Sequence, residues 1–194
     1  MEQEISVKNL AYASLIALGA LAAGATAHAE TADKDVFGWV EKVSIEPWGA
    51  ELKAKLDTGA LTSSMHATDI KVYEKDGEDW VSFTVDVEDQ RSGEKVKKHY
   101  KKPLYRDLTV RGAGGRDERP VVLMKVCAGG TIHEEQFSLR DREEMIYPVL
   151  FGRRTIQHLG VVDVTRTFIN DPECTKDSPV QVFDPDESDE DIGD

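Results

Sequence analysis

The sequence predicts an all-β protein built as a β-barrel or sandwich, and three observations support this prediction. Short runs of alternating apolar and polar residues, rich in β-branched and aromatic side chains, recur along the chain. Glycine, proline and aspartate residues separate these runs at short spacing. A helical pattern is found in one short segment, which ends at Gly160. With 194 residues, 40% of them hydrophobic and 31% charged, the chain can bury an ordinary globular core.

The first part of the chain is expected to form five strands. They begin with VFGWVEKVSI, the turn EPWG and then AELKAKL. A hairpin around KDGE joins DIKVYE to DWVSFTVDVED, because Asp-Gly favours a tight turn. The basic run KVKKHYKKPLY is interpreted as an edge strand, since lysines on an exposed edge oppose strand-to-strand aggregation.

The second part of the chain is expected to contain a second hairpin, further strands and one short helix. The hairpin joins RDLTVR to RPVVLMKVC through the glycine-rich stretch GAGGRDE. A strand TIHEEQFSL follows, and then the apolar strand YPVLFG leads into the short helix RRTIQHLG. The last predicted strand is VVDVTRTFI.

The amino-terminal residues are expected to be an export signal. Residues 1–29 contain an apolar, alanine-rich run that ends in Ala27-His28-Ala29, and small residues in this arrangement suit a signal peptidase. We expect cleavage after Ala29 and a periplasmic or secreted protein; the alternative is an N-terminal membrane anchor. Residues 30–35 would be a linker, residues 36–173 the folded domain, and residues 174–194 a disordered acidic tail.

Charge and cysteine content limit the partners. The net charge is −13, and residues 184–194 alone carry seven acids and no base. An acidic body does not suit a phosphate backbone, so we expect no nucleic-acid partner. Cys127 and Cys174 could form a disulfide in an oxidising compartment or remain as thiols, and their spacing does not decide between the two.

Asp57 is the strongest candidate for a chemical role. The apolar strand LKAKL delivers it to the end of a sheet, and the small residues Thr58, Gly59 and Ala60 follow. Asp-X-Gly also occurs in ordinary turns, where Asp caps its own backbone. Small residues, however, let two backbones approach, and a second carboxylate beside Asp57 would share one proton with it. Such a pair can activate water and polarise a carbonyl without a metal.

The motifs of this chain resemble those of retropepsins, the half-sized aspartic proteases. LDTGA resembles their active-site loop, VRGAGGRDERPVVLMKV resembles the flap, and YPVLFGRRTI resembles the segment before their short helix. GWVEKVSI, KAKLDTGALTSSMHA and MIYPVLFGR are similar to a bacterial retropepsin-like family often labelled "ATP-dependent zinc protease". The resemblance implies a closed β-barrel with a flap hairpin and one short helix near the carboxyl terminus. It also implies an aspartic endopeptidase acting on a protein or peptide substrate.

The resemblance also implies residue roles. Asp57 would be the catalytic carboxylate, supported by Thr58, Gly59 and Ala60 in the active-site loop. The flap tip would comprise Gly112, Gly114 and Gly115, and structural support beneath the loop would come from Gly152 and Arg153. The chain has one Asp-Thr-Gly, so the mechanism requires a homodimer that contributes Asp57 twice. Two features depart from the viral enzymes: Leu61–Ser64 contain no acid to pair with Arg153, and the insertion from about Tyr73 to Leu104 is longer.

Two rival functions remain. The first is a non-catalytic periplasmic module that binds peptide or protein on the same fold. The second is a zinc-dependent hydrolase, although HEEQF from His133 lacks the second histidine of His-Glu-X-X-His. We expect no metal and no cofactor. ATP is not expected either, because the chain has no G-x-x-x-x-G-K-[ST] loop.

Overall fold

Residues 35–112 and 115–186 are described by a computed structural model, and most of them form β-strands. Residues 1–34, Ala113, Gly114 and residues 187–194 lie outside the described residues, and with them the predicted signal, most of the linker and part of the acidic tail. The elements in chain order are β1 (Val36–Glu46), β2 (Ala50–Leu56), β3 (Ser63–His66), β4 (Thr68–Lys75), β5 (Glu78–Glu88), β6 (Lys95–Pro103), β7 (Arg106–Gly112), β8 (Gly115–Ala128), β9 (Thr131–Arg140), β10 (Val149–Phe151), α1 (Arg153–Leu159), β11 (Val161–Thr167) and β12 (Val180–Gln181).

The predicted strands and the short helix are present, and the all-β class is confirmed. Two short strands were not predicted, β3 and β12. Neither has a distinct sequence pattern. Each is held in place by backbone pairing to β9. Among the described residues, no helix has the length and apolar character needed to cross a bilayer.

The larger sheet has the strand order β11-β1-β2-β10-β3-β9-β8-β7, with β12 also paired to β9. β1 pairs in addition with β8, through Ser44, Ile45 and Glu46, so the pairings return to their starting strand. The result is a ring of paired strands rather than the regular closed barrel that was expected. The length of the strand pairing varies around the ring, and β10 pairs with β3 at only two positions.

The insertion between the active-site loop and the flap forms a second sheet of order β4-β5-β6. Val81, Phe83 and Val85 of β5 are fully buried and belong to the same apolar core as the large sheet. Exposed and half-buried residues alternate along β6, which lies at the edge of this sheet and exposes Lys95, Lys97 and Lys101. The basic run is therefore an edge strand, as predicted.

The core lies inside the ring of strands. Alternate side chains of β1, β2, β8 and β9 point inward, as the period of two requires. Its largest fully buried apolar side chains are Phe83, Phe137, Phe151, Ile45, Leu52, Met65, Met124 and Leu139. This packing fixes the ends of β2 and β10, where the candidate site lies.

The segment after β11 is folded further than predicted. Cys127 and Cys174 form a disulfide with a Cα–Cα distance of 5.9 Å. Val180 and Gln181 then pair in parallel with β9, and the Phe183 ring contacts Tyr105. The disulfide, the strand pairing and the ring contact therefore attach residues 174–183, which the sequence assigned to a disordered tail, to the folded domain. A covalent tether and backbone hydrogen bonds can order a segment that has few apolar side chains.

Candidate active site

Asp57 lies at the end of β2, in a tight loop. Leu56 is buried in the core, and the Asp57 N–H donates to the Phe151 carbonyl at 2.8 Å. The Gly59 N–H donates to Asp57 Oδ1 at 3.0 Å, and the Ala60 N–H donates to the Asp57 carbonyl at 3.1 Å. These bonds fix the carboxylate while its side chain remains 25% exposed.

The pKa of Asp57 is determined by burial, by Lys55 on the same strand and by two N–H groups of its own loop. Burial raises the pKa of Asp57, but the Lys55 ammonium and the Gly59 and Ala60 N–H groups outweigh it and lower the pKa. Lys55 Nζ lies 3.0 Å from Asp57 Oδ2, because residues two apart in a strand point to the same side. In a single subunit Asp57 is therefore an ionised carboxylate, suited to act as a base.

Gly152 and Arg153 lie directly against the active-site loop. A Cβ on Gly152 would come within 2.5 Å of the Leu61 carbonyl oxygen, so only glycine fits there without moving the backbone. The Arg153 N–H donates to the Ala60 carbonyl at 2.9 Å. Arg153 Nη1 donates to the Thr58 carbonyl at 3.1 Å, which identifies a partner that the sequence could not.

A buried chain of polar side chains connects this loop to α1. The Gly152 N–H donates to Ser63 Oγ at 3.0 Å, and Ser63 Oγ lies 2.6 Å from Thr155 Oγ1. Thr155 donates to Glu135 Oε2 at 3.2 Å, and His158 Nδ1 lies 2.7 Å from Glu135 Oε1. Ser63 is thus a structural hydroxyl, and the network holds loop, helix and β9 together.

The flap hairpin consists of β7 and the first half of β8. The two strands pair from Arg106–Val121 to Gly112–Gly115, so the hairpin is long. Gly115 has φ +109°, a conformation that L side chains rarely adopt. Gly114 lies outside the described residues.

A groove of about 560 Å³ separates the active-site loop from the flap. Ala60, Leu61 and Thr62 line one side, and Arg106 to Arg111 of β7 line the other. Five arginines contribute to its walls: Arg106, Arg111, Arg119, Arg142 and Arg154.

Thr62 lies between two of these arginines. Arg106 Nη2 donates to Thr62 Oγ1 at 3.0 Å, and Arg154 Nη1 donates to the same oxygen at 3.1 Å. Arg106 Nε also donates to Gln136 Oε1 at 2.8 Å. These contacts position both guanidinium groups at the wall of the groove.

Arg142 is the buried member of the set. Burial lowers the pKa of Arg142, the nearby Arg140 and Arg119 lower it further, and Asp57 opposes the shift. Its Nε donates to the Tyr147 carbonyl at 3.1 Å. A guanidinium keeps its charge even when its pKa is lowered, so this wall of the groove remains cationic.

The histidines are dispersed over the fold. Among residues 35–112 and 115–186, no three His, Cys, Asp or Glu side chains converge in a way that could hold a metal ion. His133 and the HEEQF run lie in strand β9 rather than on a helix. His66 Nδ1 accepts the Arg142 N–H at 2.9 Å, and His158 contacts Glu135.

Sequence reasoning missed Lys55 and the arginine groove. Lys55 could have been found, because a strand places residues two apart on one side. The groove arginines gave no local signal, since they lie between positions 106 and 154 and belong to two strands, a loop and a helix.

Comparison with known proteins agrees with the fold. Residues 36–173 match the RimB-like family, described as the retropepsin-like aspartic endopeptidase RimB. The chain belongs to this family.

Curated relatives include probable alpha-L-glutamate ligases. The protein from Shewanella pealeana is 30% identical over 118 residues, which is 60% of this chain and 25% of that protein. The protein from Desulfotalea psychrophila is 28% identical over 132 residues, 67% of this chain and 28% of that protein. This chain therefore spans about a quarter of the length of these relatives.

A solved structure is also similar. It is the crystal structure of Lpg0085 from Legionella pneumophila, a protein of unknown function (DUF785). The TM-score is 0.58 and the identity 31%, covering 69% of this chain and 96% of that one.

Proposed function

We propose that this chain is an exported aspartic endopeptidase that acts as a homodimer on acidic peptide chains. The observation that carries the proposal is the position of Asp57. It lies at the end of β2 in a loop fixed from below by Gly152 and Arg153, beside a groove bounded by the flap. The cleaved export signal remains an expectation from residues 1–29, and the disulfide supports it because such bonds persist in oxidising compartments.

Dimerisation would complete the site. Thr58, Gly59 and Leu61 are exposed in the single chain, which suits a loop that meets its symmetry mate. A second Asp57 would bring like charge close and raise the pKa of the pair, so that one proton is shared. The ionised carboxylate then takes a proton from water, and the resulting hydroxide attacks the peptide carbonyl carbon. The protonated carboxyl donates to the carbonyl oxygen, and a proton finally passes to the leaving amine.

The substrate class follows from the groove. Arginine forms bidentate, charge-assisted hydrogen bonds with carboxylates. Arg119 is paired with Asp117 at 2.7 Å, and Arg111 and Arg142 add positive charge to the same groove, so the groove favours a peptide rich in Glu or Asp. The relatives named as probable alpha-L-glutamate ligases support a connection with glutamate chains.

A binding module without turnover is the second candidate. The Lys55–Asp57 ion pair favours it, because a carboxylate neutralised by lysine does not need to share a proton. Such a protein would retain acidic peptides in the groove and release them intact.

The deciding experiment compares the wild-type chain with Asp57→Asn. We expect cleavage of a Glu-rich fluorogenic peptide by the wild type, and a fall of several orders of magnitude in kcat for the variant, because Asn cannot act as a base. Peptide affinity and the far-UV spectrum should be retained.

Controls separate the rivals. A Gln-rich peptide of equal length should be a poor substrate, and EDTA should leave the rate unchanged. Full activity in Asp57→Asn would overturn the aspartic mechanism, and loss of activity in EDTA with recovery in zinc would favour the hydrolase rival. Binding of the Glu-rich peptide without cleavage at any pH would favour the binding module.

A further inference from the structure

A second cavity lies between the second sheet and the loop of residues 141–148, and the proposed mechanism does not use it. Its volume is about 450 Å³. Glu88 of β5 and Lys95 of β6 line one side, and Met145 and Ile146 of the loop line the other. The insertion that lengthens this chain relative to the viral enzymes therefore builds part of this second cavity.

The second cavity adjoins the candidate active site. Arg142 lines both the second cavity and the groove beside the flap, so the two share a wall. Lys53 also lines the second cavity, and it lies on the same side of β2 as the side chain of Asp57. Four residues of a strand rise about 13 Å. An extended peptide covers that distance in about four residues, so a substrate held at Asp57 can reach the second cavity.

The loop presents two large apolar side chains to solvent at this cavity. Ile146 is 82% exposed and Met145 is 41% exposed. Pro148 lines the cavity with them, and Val87 adds an apolar side chain from the second sheet. Exposed apolar side chains grouped at a cavity favour binding of an apolar group, because covering them removes apolar surface from water. The flexible Met145 side chain can adapt to the shape of that group.

The charges around the second cavity are balanced. Three basic and three acidic side chains line it: Lys53, Lys95, Arg142, Asp86, Glu88 and Glu143. A lining of balanced charge does not select an acidic side chain, in contrast to the groove beside the flap. The group that fits the second cavity is therefore an uncharged, apolar side chain of a bound peptide.

We propose that the second cavity is a subsite for an aliphatic side chain of the substrate, about four residues from the scissile bond. Ile146 and Met145 are its specificity-determining residues, and the second sheet supplies the facing wall. The inference rests on the acidic-peptide substrate of the proposed function and adds a requirement outside the groove. A chain of glutamate alone leaves the subsite empty, whereas an acidic peptide with one correctly placed leucine fills it.

The test measures peptide binding to the full-length Asp57→Asn chain, so that cleavage does not consume the probe. The probes are Glu-rich peptides of equal length in which one glutamate, at each position in turn, is replaced by leucine or by alanine. Calorimetry should give a Kd about 5-fold lower for leucine than for alanine at one position, because part of the leucine side chain is buried there. Mass spectrometry of the wild-type cleavage products locates the scissile bond, which should lie about four residues from that position.

Two loop variants, each made in the Asp57→Asn chain, assign the preference to the second cavity. Ile146→Ser should remove the leucine preference and leave the affinity for the all-glutamate peptide unchanged. Ile146→Leu should retain the preference, because leucine restores the apolar surface. Both variants should fold like the parent chain, since the Ile146 side chain is exposed.

Val182→Ser in the same chain is the matched control. Val182 is also an exposed aliphatic residue, with 65% of its surface accessible, and it lines neither the second cavity nor the groove. This variant should keep the full leucine preference.

The outcomes separate the subsite from the proposed function. Binding of all the peptides with equal Kd for leucine and alanine at every position would overturn the subsite and leave the acidic groove intact. A leucine preference that survives Ile146→Ser, or that is lost equally in Val182→Ser, would also overturn it. A leucine preference that depends on Ile146, without cleavage by the wild type, would support the subsite and contradict the endopeptidase. Failure to bind any of the peptides would contradict the acidic substrate itself, and with it this inference.

Discussion

At the scale of single residues, Lys55 determines how Asp57 ionises. The pKa of Asp57 is lowered in the folded subunit, so its ion pair stabilises the fold above the ordinary carboxyl pKa, and this contribution is lost as the pH falls. Lys55→Gln should therefore lower stability at neutral pH and have little effect near pH 3. It should also move the pH–rate profile to higher pH, because the cation no longer opposes protonation.

The measurements for Lys55→Gln are melting temperature against pH and kcat/KM against pH. Lys53→Gln is the matched control, since Lys53 lies on the same side of β2 but two residues further from Asp57. An unchanged profile in Lys55→Gln would show that the ion pair does not persist in the active form.

A second residue-scale prediction concerns His133. Burial lowers the pKa of His133 from 6.5 to about 4. Between these values the unfolded chain binds a proton that the folded chain does not, so stability should fall as the pH drops through this range. His133→Asn should reduce that dependence. Urea unfolding at pH 7 and pH 4.5 measures it, and exposed His99→Gln should retain the wild-type slope. Equal slopes in all three chains would contradict the prediction.

At the scale of elements, the junction of β10 and α1 supports the active-site loop. Gly152→Ala would place a Cβ against the backbone of Leu61 and Thr62, which cannot move aside as a side chain can. We expect a loss of about 1–3 kcal/mol and a Tm lower by several degrees, together with a fall in kcat. Calorimetry and peptide cleavage measure these effects. Gly130→Ala is the control, because a Cβ there would meet open space; an equal loss in both variants would exclude the contact with the loop as the cause.

At the scale of the whole molecule, the proposed mechanism requires two subunits. When wild-type and Asp57→Asn chains are mixed in equal amounts and allowed to exchange, about a quarter of the dimers should carry two intact carboxylates. Activity should then be about half of that of the same wild-type amount alone. Independent monomers would instead show no loss on mixing. A titration of the variant into a fixed wild-type concentration, with solution mass measured in parallel, checks this prediction.

Much of the fold followed from local pattern. Alternation in VFGWVEKVSI and DWVSFTVDVED predicted strands that the structure contains, because one face of each is buried. The ring was less predictable. The β1–β8 pairing joins residues about eighty positions apart, and no local pattern encodes such a contact. β12 was missed because backbone hydrogen bonds and a disulfide hold it, rather than an apolar face.

The sequence by itself determined the family, the strand pattern and the choice of Asp57 as the candidate carboxylate, because these features depend on residues adjacent in the chain. Only the tertiary structure placed Gly152 and Arg153 against the loop and gathered arginines from Arg106 to Arg154 around one groove. It also placed the Phe183 ring against Tyr105. The physical reason is that a strand's period determines which way a side chain faces, whereas the neighbours it meets depend on how distant strands pair.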